Sequence, residues 1–190
     1  YDEDPETIED ISKVGYGGVL CIETGGPTPG LGCAGRGIIA TFSLLEDLEL
    51  FETHQPDVVL YDVLGDVVCG GFSMPMRRGY ADKVFVITSG ENMAIHAAAN
   101  IAMAVENFKD RGYAQLGGLI LNRRNVKNED AKVEELAEDI HSKVIGTLSR
   151  SELVTDAEEQ KKTVIEAYPD SEMAEEYRIL AGKIRTLCGI

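Results

Sequence analysis

Short runs of apolar residues recur along the chain, and each run is bounded by glycine, aspartate, asparagine or serine. The runs are rich in valine, isoleucine and leucine, which predicts β-strands. Because the apolar residues are continuous rather than alternating, we expect strands covered on both faces, as in a parallel sheet. The predicted strands comprise residues 19–23, 57–62, 83–88, 116–122 and 144–148.

Longer segments between these runs carry apolar residues at helical spacing, and they predict helices. The predicted helices comprise residues 37–51, 91–110, 130–143 and 171–187. Strands that alternate with helices predict an α/β fold with a doubly wound, mostly parallel sheet and helices on both faces. No linker, repeat or low-complexity segment interrupts the sequence, so residues 1–190 are predicted to form a single domain. The acidic residues 1–10 are interpreted as solvated surface.

The composition is acidic, with 33 aspartates and glutamates against 18 lysines and arginines and a formal net charge of −15. A field of that sign repels the phosphate backbone, so no nucleic-acid partner is expected. No apolar stretch approaches the roughly 20 residues needed to span a bilayer, and the first residues do not resemble a signal peptide. The predicted location is therefore the cytoplasm, with no membrane partner.

Two of the four cysteines, Cys33 and Cys69, lie in glycine-rich segments that follow predicted strands. Cys33 also precedes a predicted helix, whose free N–H groups favour a metal-binding thiolate. Two thiolates cannot complete a cubane cluster that needs four, but two copies of the chain related by a two-fold axis could share one. The alternative is that both segments are tight loops with buried thiols. Cys21 is interpreted as a buried small hydrophobe, and Cys188 as incidental.

An acidic segment containing Asp62, Gly65 and Asp66 lies at the end of the second predicted strand. An acidic residue at a strand end, followed by a glycine, is the layout of a Mg²⁺-nucleotide switch. In such a switch a carboxylate lies near the metal, and the glycine is a hinge that moves on hydrolysis. The segment therefore predicts a nucleotide-dependent loop next to Cys69.

Residues 25–37, with the run Gly-Cys-Ala-Gly-Arg-Gly, and residues 62–72, with Val-Cys-Gly-Gly-Phe, resemble the two cluster loops of the nitrogenase iron protein family. The likeness extends from about residue 15 to the C-terminus and implies a P-loop NTPase-like form of the α/β fold. Further similar segments follow in the family's order, at residues 89–91 (Ser-Gly-Glu), 117–120 (Gly-Gly-Leu-Ile), 122–125 (Asn-Arg-Arg-Asn) and 163–166 (Thr-Val-Ile-Glu).

The resemblance implies that Cys33 and Cys69, with the same residues of a second subunit, hold one [4Fe–4S] cluster per homodimer. It implies that Arg36 lies beside the cluster as a docking arginine, which is ADP-ribosylated in some members of the family. Arg77 would lie on the same docking surface. Phe72 would pack near the cluster and help to exclude water.

For the nucleotide, the resemblance implies ATP with Mg²⁺. Asp62 would lie near Mg²⁺, Gly65 would belong to the same nucleotide-binding switch, and Asp66 is the candidate for activating the attacking water. Asn122 would contact the adenine. Nucleotide binding would rearrange the switch in both subunits and so shift the cluster.

The function implied is that of a nitrogenase reductase-like oxidoreductase coupled to ATP hydrolysis. Such a homodimer passes single electrons to a larger nitrogenase-like catalytic protein and receives them from reduced ferredoxin or flavodoxin. The acceptor enzyme and its final substrate are left open by the sequence.

The sequence departs from the family in several places. Residues 1–190 contain no G-x-x-x-x-G-K-[ST] motif, so we expect a fragment that lacks the first βα units and is inactive alone. Thr28 and Leu31 differ from the commonest nitrogenase sequences, and residues 148–151 lack the proline and aspartate usual near the adenine. Two alternatives remain open: a P-loop-related ATPase scaffold or cluster carrier of the partition-protein type, and an inactive fragment.

Overall fold

The computed structural model describes residues 5–23, 34–63, 65, 73–77 and 79–190, with residues 34–36 described by their backbone alone. The chain divides into two compact units, Tyr1–Pro75 and Met76–Ile190. Each unit has a hydrophobic cluster of its own, and the two are described in turn. The single domain expected over residues 1–190 stays a prediction.

The first unit combines two short strands with helices, and the second alternates strands with helices. In the first unit they are α1 (Ile8–Ile11), β1 (Ser12–Val14), β2 (Leu20–Ile22), α2 (Ala34–Asp47) and α3 (Leu50–His54). In the second unit they are β3 (Lys83–Thr88), α4 (Asn92–Phe108), β4 (Gln115–Asn122), α5 (Glu129–Asp139), β5 (Val144–Leu148), α6 (Glu152–Glu159), α7 (Val164–Ala167) and α8 (Glu172–Cys188).

In the first unit, β1 and β2 form an antiparallel hairpin in which Lys13 pairs with Cys21. The strand predicted at 19–23 is therefore present but shorter, and it is not part of a parallel sheet. Its side chains alternate between intermediate and exposed positions, because the hairpin is covered on only part of its surface. Cys21 is exposed, so the interpretation of that thiol as a buried hydrophobe is wrong.

The strand predicted at 57–62 is absent from the structure. Residues 58–63 lie outside regular secondary structure, and Leu60 is 83% exposed. A strand forms only where a neighbour satisfies its backbone N–H and C=O groups, and among the described residues of this unit no strand pairs with the segment. An apolar composition alone is therefore not sufficient to form a strand here.

The start of the chain is only partly the solvated surface that its acidic composition suggests. Ile8 is 5% exposed and packs in a cluster with Leu45 and Leu50. Asp10 fixes the turn that precedes Ile8, because its Oδ2 accepts hydrogen bonds from the Thr7 backbone N–H and hydroxyl at 2.9 and 3.0 Å. These hydrogen bonds hold the pKa of the exposed Asp10 carboxyl below its usual value.

The second unit contains a parallel sheet with the strand order β3–β4–β5. Helix α4 connects β3 to β4, and α5 connects β4 to β5, so each connection is a βαβ unit. The strands predicted at 83–88 and 144–148 are confirmed at their predicted bounds, and the strand predicted at 116–122 begins one residue earlier. The predicted parallel α/β architecture is confirmed in this unit.

Two glycines in β4 allow its neighbours to approach closely. A Cβ on Gly117 would lie 2.5 Å from the Phe85 ring, and a Cβ on Gly118 would lie 2.5 Å from Ile145. Gly118 also has a φ of +145°, a conformation that favours glycine. The register shifts on both sides of β4 at this level, so the glycines accommodate an irregular point in a buried strand.

Two hydrophobic clusters stabilise the second unit. The first joins β3 and β4 to α4 and α5, and the second joins β5 to the three C-terminal helices. Leu119 and Val133, in the first cluster, are 0% exposed. Helices α6 and α7 were not predicted from the sequence, because each spans at most eight residues. Among the described residues, no helix is both long and apolar enough to cross a bilayer.

The other helix predictions are confirmed with shifted ends. The helix predicted at 37–51 is divided into α2 and α3 by Glu49, which has a φ of +51°. Helix α5 ends at Asp139 rather than at 143, before His141 adopts a φ of +53°. Helices α4 and α8 lie within two residues of their predicted bounds.

Candidate functional site

The carboxyl ends of β4 and β5 form the edge at which parallel α/β sheets bind ligands. Asn122 is the last residue of β4, is exposed, and is in register with Leu148, the last residue of β5. The Arg123 backbone N–H donates to the Leu148 carbonyl at 2.9 Å, which extends the pairing beyond both strands. Asn122, the predicted adenine contact, therefore lies at the edge where a ligand is expected.

The loop that follows Asn122 is held by Glu129, the first residue of α5. This side chain is 6% exposed, and its carboxylate accepts hydrogen bonds from the backbone N–H groups of Arg124 at 3.0 Å and Val126 at 3.3 Å. Asn125 and Asn128 have φ values of +61° and +58°, so the loop bends sharply around the carboxylate. The buried charge is thereby satisfied by backbone donors.

The turn between β3 and α4 packs directly against the same part of α5. A Cβ on Gly90 would lie 2.2 Å from the Cβ of Glu129, so only glycine fits there. Lys132 Nζ donates to the Gly90 carbonyl and to Asn92 Oδ1, each at 3.2 Å. The Ser89 hydroxyl donates to the Glu91 carboxylate at 3.0 Å. The Ser-Gly-Glu turn and the loop after β4 are therefore fixed to each other.

The turn between β5 and α6 is held by Glu176 of α8. The Glu176 carboxylate accepts two hydrogen bonds from Ser149, one from its backbone N–H and one from its hydroxyl, both at 2.7 Å. Ser151, two residues on, accepts from the Leu153 N–H at 3.2 Å and caps α6. Burial raises the pKa of the adjacent Tyr177 phenol, and the negative charge of Glu176 raises it further.

The predicted switch residues that the structure describes, Asp62 and Gly65, belong to the first unit. Asp62 and Gly65 are both exposed, and Asp66 lies outside the described residues. Tyr61, just before Asp62, lies with its ring centroid 5.3 Å from that of Phe42, and burial raises the pKa of its phenol. Asn122 lies in the other unit, and a site that combines these residues stays a prediction.

The predicted cluster ligands Cys33 and Cys69 lie outside the described residues, as does Phe72. Helix α2 begins at Ala34, the residue after Cys33, and Arg36 belongs to the first turn of this helix. Among the described residues, no group of three or more histidines, cysteines and carboxylates could hold a metal ion. No alternative metal centre is therefore present in the described part of the chain.

Arg77, predicted on the docking surface, is exposed in a turn of the second unit. Its carbonyl accepts from the Tyr80 N–H at 3.1 Å. The Ala114 N–H donates to the carbonyl of the neighbouring Met76 at 2.8 Å and anchors the turn next to β4. The arginine is accessible to a partner, and its docking role stays a prediction.

Sequence reasoning missed the two glutamates that shape the edge around Asn122. Glu129 and Glu176 both lie in helices rich in acidic residues, where spacing does not reveal which side chain folds back onto a loop. Ser149 was singled out only as part of a segment that departs from the family. The sequence signal for Ser149 was its place directly after the strand predicted at 144–148, where parallel sheets bind ligands.

Solved structures of cell-division ATPases share this fold. The MinD protein of Pyrococcus furiosus matches with a TM-score of 0.57 at 15% identity, over 80% of this chain and 59% of that chain. The MinD protein of Aquifex aeolicus matches with a TM-score of 0.55 at 18% identity, over 82% of this chain and 61% of that chain. At such identities the likeness concerns the fold alone, and it confirms a P-loop NTPase-like α/β fold.

The profile of the 4Fe-4S iron sulfur cluster binding proteins, NifH/frxC family, matches residues 2–187. The chain belongs to this family. It is 50% identical over 186 residues to the nitrogenase iron protein of Methanospirillum hungatei, covering 97% of this chain and 65% of that protein. It is 46% identical over 185 residues to the nitrogenase iron protein of Methanococcus voltae, covering 96% of this chain and 66% of that protein.

The chain thus spans about two thirds of the length of the curated relatives that it matches. The predicted family resemblance is confirmed. The predicted cofactors, a [4Fe–4S] cluster with ATP and Mg²⁺, are those of this family.

Proposed function

We propose that this chain is part of an ATP-dependent electron donor, which passes single electrons to a larger nitrogenase-like catalytic protein. The observation that carries the proposal is the match to the NifH/frxC family over residues 2–187. The names of the relatives that are about half identical to it agree with this function. The cell-division ATPases share only the fold, so fold likeness does not favour a scaffold or partition-type role.

Cys33 and Cys69 would hold the cluster, together with the same residues of a second copy of the chain. The donor chemistry fits, because thiolates are the ligands of such clusters and two copies supply the four that are required. The start of α2 immediately after Cys33 also fits, since helix N-terminal N–H groups stabilise a thiolate. When bound, the cluster supplies a one-electron redox centre, and the protein determines its exposure and its hydrogen bonds.

The nucleotide would be bound at the carboxyl edge of the parallel sheet. Asn122 would contact the adenine, since its amide offers both a donor and an acceptor. Asp62 would lie near Mg²⁺, where its carboxylate oxygens suit the metal, Asp66 would activate the attacking water, and Gly65 would be the hinge of the switch. The exposure of Asp62 and Gly65 is consistent with a segment that rearranges on nucleotide binding.

Docking on the catalytic partner would use Arg36 and Arg77. Arginine suits this role because its planar guanidinium binds carboxylates through two hydrogen bonds. Reduced ferredoxin or flavodoxin would supply the electrons, in the cytoplasm. A nucleotide can shift the switch, and with it the cluster, only if it binds one state of the switch more tightly than the other.

The first test is native mass spectrometry of the full-length protein, purified without oxygen from its source. We expect a dimer that carries one cluster, and we expect the cluster to be lost in Cys33→Ser and in Cys69→Ser. Cys21→Ser and Cys188→Ser are matched controls, because these cysteines lie outside the predicted loops. These two variants should keep the cluster.

Two results would contradict the proposal. One is a wild-type protein that is monomeric and carries no cluster under anaerobic conditions. The other is a cluster that persists in both Cys33→Ser and Cys69→Ser. The same spectra, recorded with and without Mg-ATP, would also report whether two nucleotides bind per dimer, as one site per copy requires.

A further inference from the structure

The link between Glu176 and Ser149 joins the last helix of the chain to the turn after β5. The carboxylate oxygen Oε2 lies 2.7 Å from the Ser149 backbone nitrogen, and Oε1 lies 2.7 Å from the Ser149 hydroxyl. Two short hydrogen bonds to one carboxylate are charge-assisted and fix both the position and the orientation of the turn. We call this pair the Ser149–Glu176 clamp.

The clamp lies immediately beside the residue predicted to contact the base. Ser149 follows Leu148, which is in register with Asn122 across the β4–β5 pair. The hydrogen bond from the Arg123 N–H to the Leu148 carbonyl, at 2.9 Å, keeps the two strand ends aligned. The turn after β5 is therefore a direct neighbour of Asn122 at the ligand-binding edge.

We propose that Glu176 is a positioning residue, which holds the turn after β5 as one wall of the base-binding site and so sustains discrimination of adenine from guanine. This inference rests on the proposed function, in which Asn122 contacts the base. An amide distinguishes adenine from guanine only if the base is held in one orientation, because the two purines exchange a donor and an acceptor at position 6. A wall held at two points supplies that constraint.

The clamp depends on the particular residue at position 149. A proline would have no N–H to donate, and a residue without a hydroxyl would make one hydrogen bond instead of two. With serine at position 149, a side chain on α8 accepts from both groups and holds the turn. Helix α8 packs closely on β5, since a Cβ on Gly146 would lie 2.7 Å from Leu180 Cδ1.

The test compares the affinities of Mg-ATP and Mg-GTP for the full-length protein by equilibrium dialysis. Glu176→Ala removes both carboxylate oxygens, so the Ser149 N–H and hydroxyl lose their acceptors on α8. We expect the preference for ATP over GTP to fall about tenfold, mainly through weaker ATP binding. Glu175→Ala is the matched control, because Glu175 is an exposed neighbour on the same helix that pairs only loosely with Arg178, at 3.5 Å. It should leave the preference unchanged.

A second variant, Ser149→Ala, provides an independent test in case the Glu176 variant does not fold. It removes the hydroxyl and keeps the N–H, so we expect about a threefold loss of the same preference. A general loss of stability would weaken the binding of both nucleotides equally. The proposal requires instead that the ratio of the affinities for ATP and GTP change.

Each outcome separates the inference from the proposed function. If the wild-type protein binds ATP with a clear preference and Ser149→Ala and Glu176→Ala both retain it, the inference is wrong and the proposed function stands. If the wild-type protein binds neither nucleotide, the proposed function is wrong, and the inference falls with it.

Discussion

At the scale of single residues, Gly90 lies so close to Glu129 that a Cβ added to it would be 2.2 Å from the Glu129 Cβ. The first residue of α5 lies against the turn after β3, with no space for a Cβ on Gly90. The same glutamate uses its carboxylate to hold the loop after β4. One residue thus fixes two of the loops that follow parallel strands, and a change at Gly90 displaces both.

We expect Gly90→Ala to destabilise the protein by about 2–3 kcal/mol, because the new methyl group would overlap both Cβ and Cα of Glu129. The matched control is Gly182→Ala in α8, where a Cβ would meet no atom within 4 Å. That change should stabilise the helix by about 0.5–1 kcal/mol. Urea denaturation monitored by circular dichroism measures both. Equal effects of the two substitutions would contradict the packing argument.

At the scale of elements, the C-terminal helices begin at residues that cap them. Ser171 accepts from the Ala174 N–H at 3.1 Å, and its hydroxyl donates to the Tyr168 carbonyl at 2.8 Å. Thr163 accepts from the Glu166 N–H at 3.2 Å at the start of α7. These caps determine where α8 starts, and therefore where Glu176 lies relative to Ser149.

Ser171→Ala should lower the free energy of unfolding by about 1 kcal/mol, since it leaves a helix N–H without its acceptor. Ser171→Asn retains an acceptor at the cap and should lose less than half as much. Thermal or chemical unfolding of the second unit provides the measurement. A Ser171→Ala variant as stable as the wild-type protein would show that the cap contributes nothing to the stability of α8.

Sequence patterns predicted some elements at the correct residues and others not at all, for physical reasons. Strands β3 and β5 were predicted at their bounds because continuous apolar runs bounded by polar residues suit a covered parallel sheet. The segment at 57–62 has the same pattern, but no strand pairs with it in the part of the chain that the structure describes, and composition does not encode pairing. Helix α7 was missed although Thr163 and Glu166 form the Thr-x-x-Glu signature of a helix start.

The candidate site was predictable where it depends on strand ends. Asn122 follows an apolar run, so its position at the ligand edge could be read from the sequence. The supporting glutamates could not, because Glu176 lies 27 residues from the serine that it holds. Contacts between distant segments depend on helix packing, which no local pattern specifies.

At the scale of the whole molecule, the two clusters that stabilise the second unit lie entirely within Met76–Ile190. Three parallel strands with their connecting helices form a domain-sized core. This organisation separates the part that would bind the base from the segments that contain the two predicted cluster cysteines. The stability of residues 76–190 should therefore be measurable by itself.

We expect residues 76–190, produced alone, to unfold in one cooperative thermal transition. Leu119→Ala, at a position that is 0% exposed, should destabilise this fragment by about 2–5 kcal/mol. Ile87→Ala, on the neighbouring strand and 64% exposed, should change its stability by less than about 1 kcal/mol. A fragment with helical circular dichroism but no cooperative transition would contradict the independence of the unit.

The contact between Glu129 and the loop after β4 also limits the ways in which a nucleotide can bind. Backbone N–H groups two residues apart, in a loop that curves around an anion, commonly bind phosphate. Here an internal carboxylate already takes both donors, those of Arg124 and Val126. A phosphate could use them only by expelling a buried, negatively charged side chain. This loop is therefore closed to the triphosphate, so a nucleotide at this edge would have its phosphates directed elsewhere, as the proposed contact between Asn122 and the base requires.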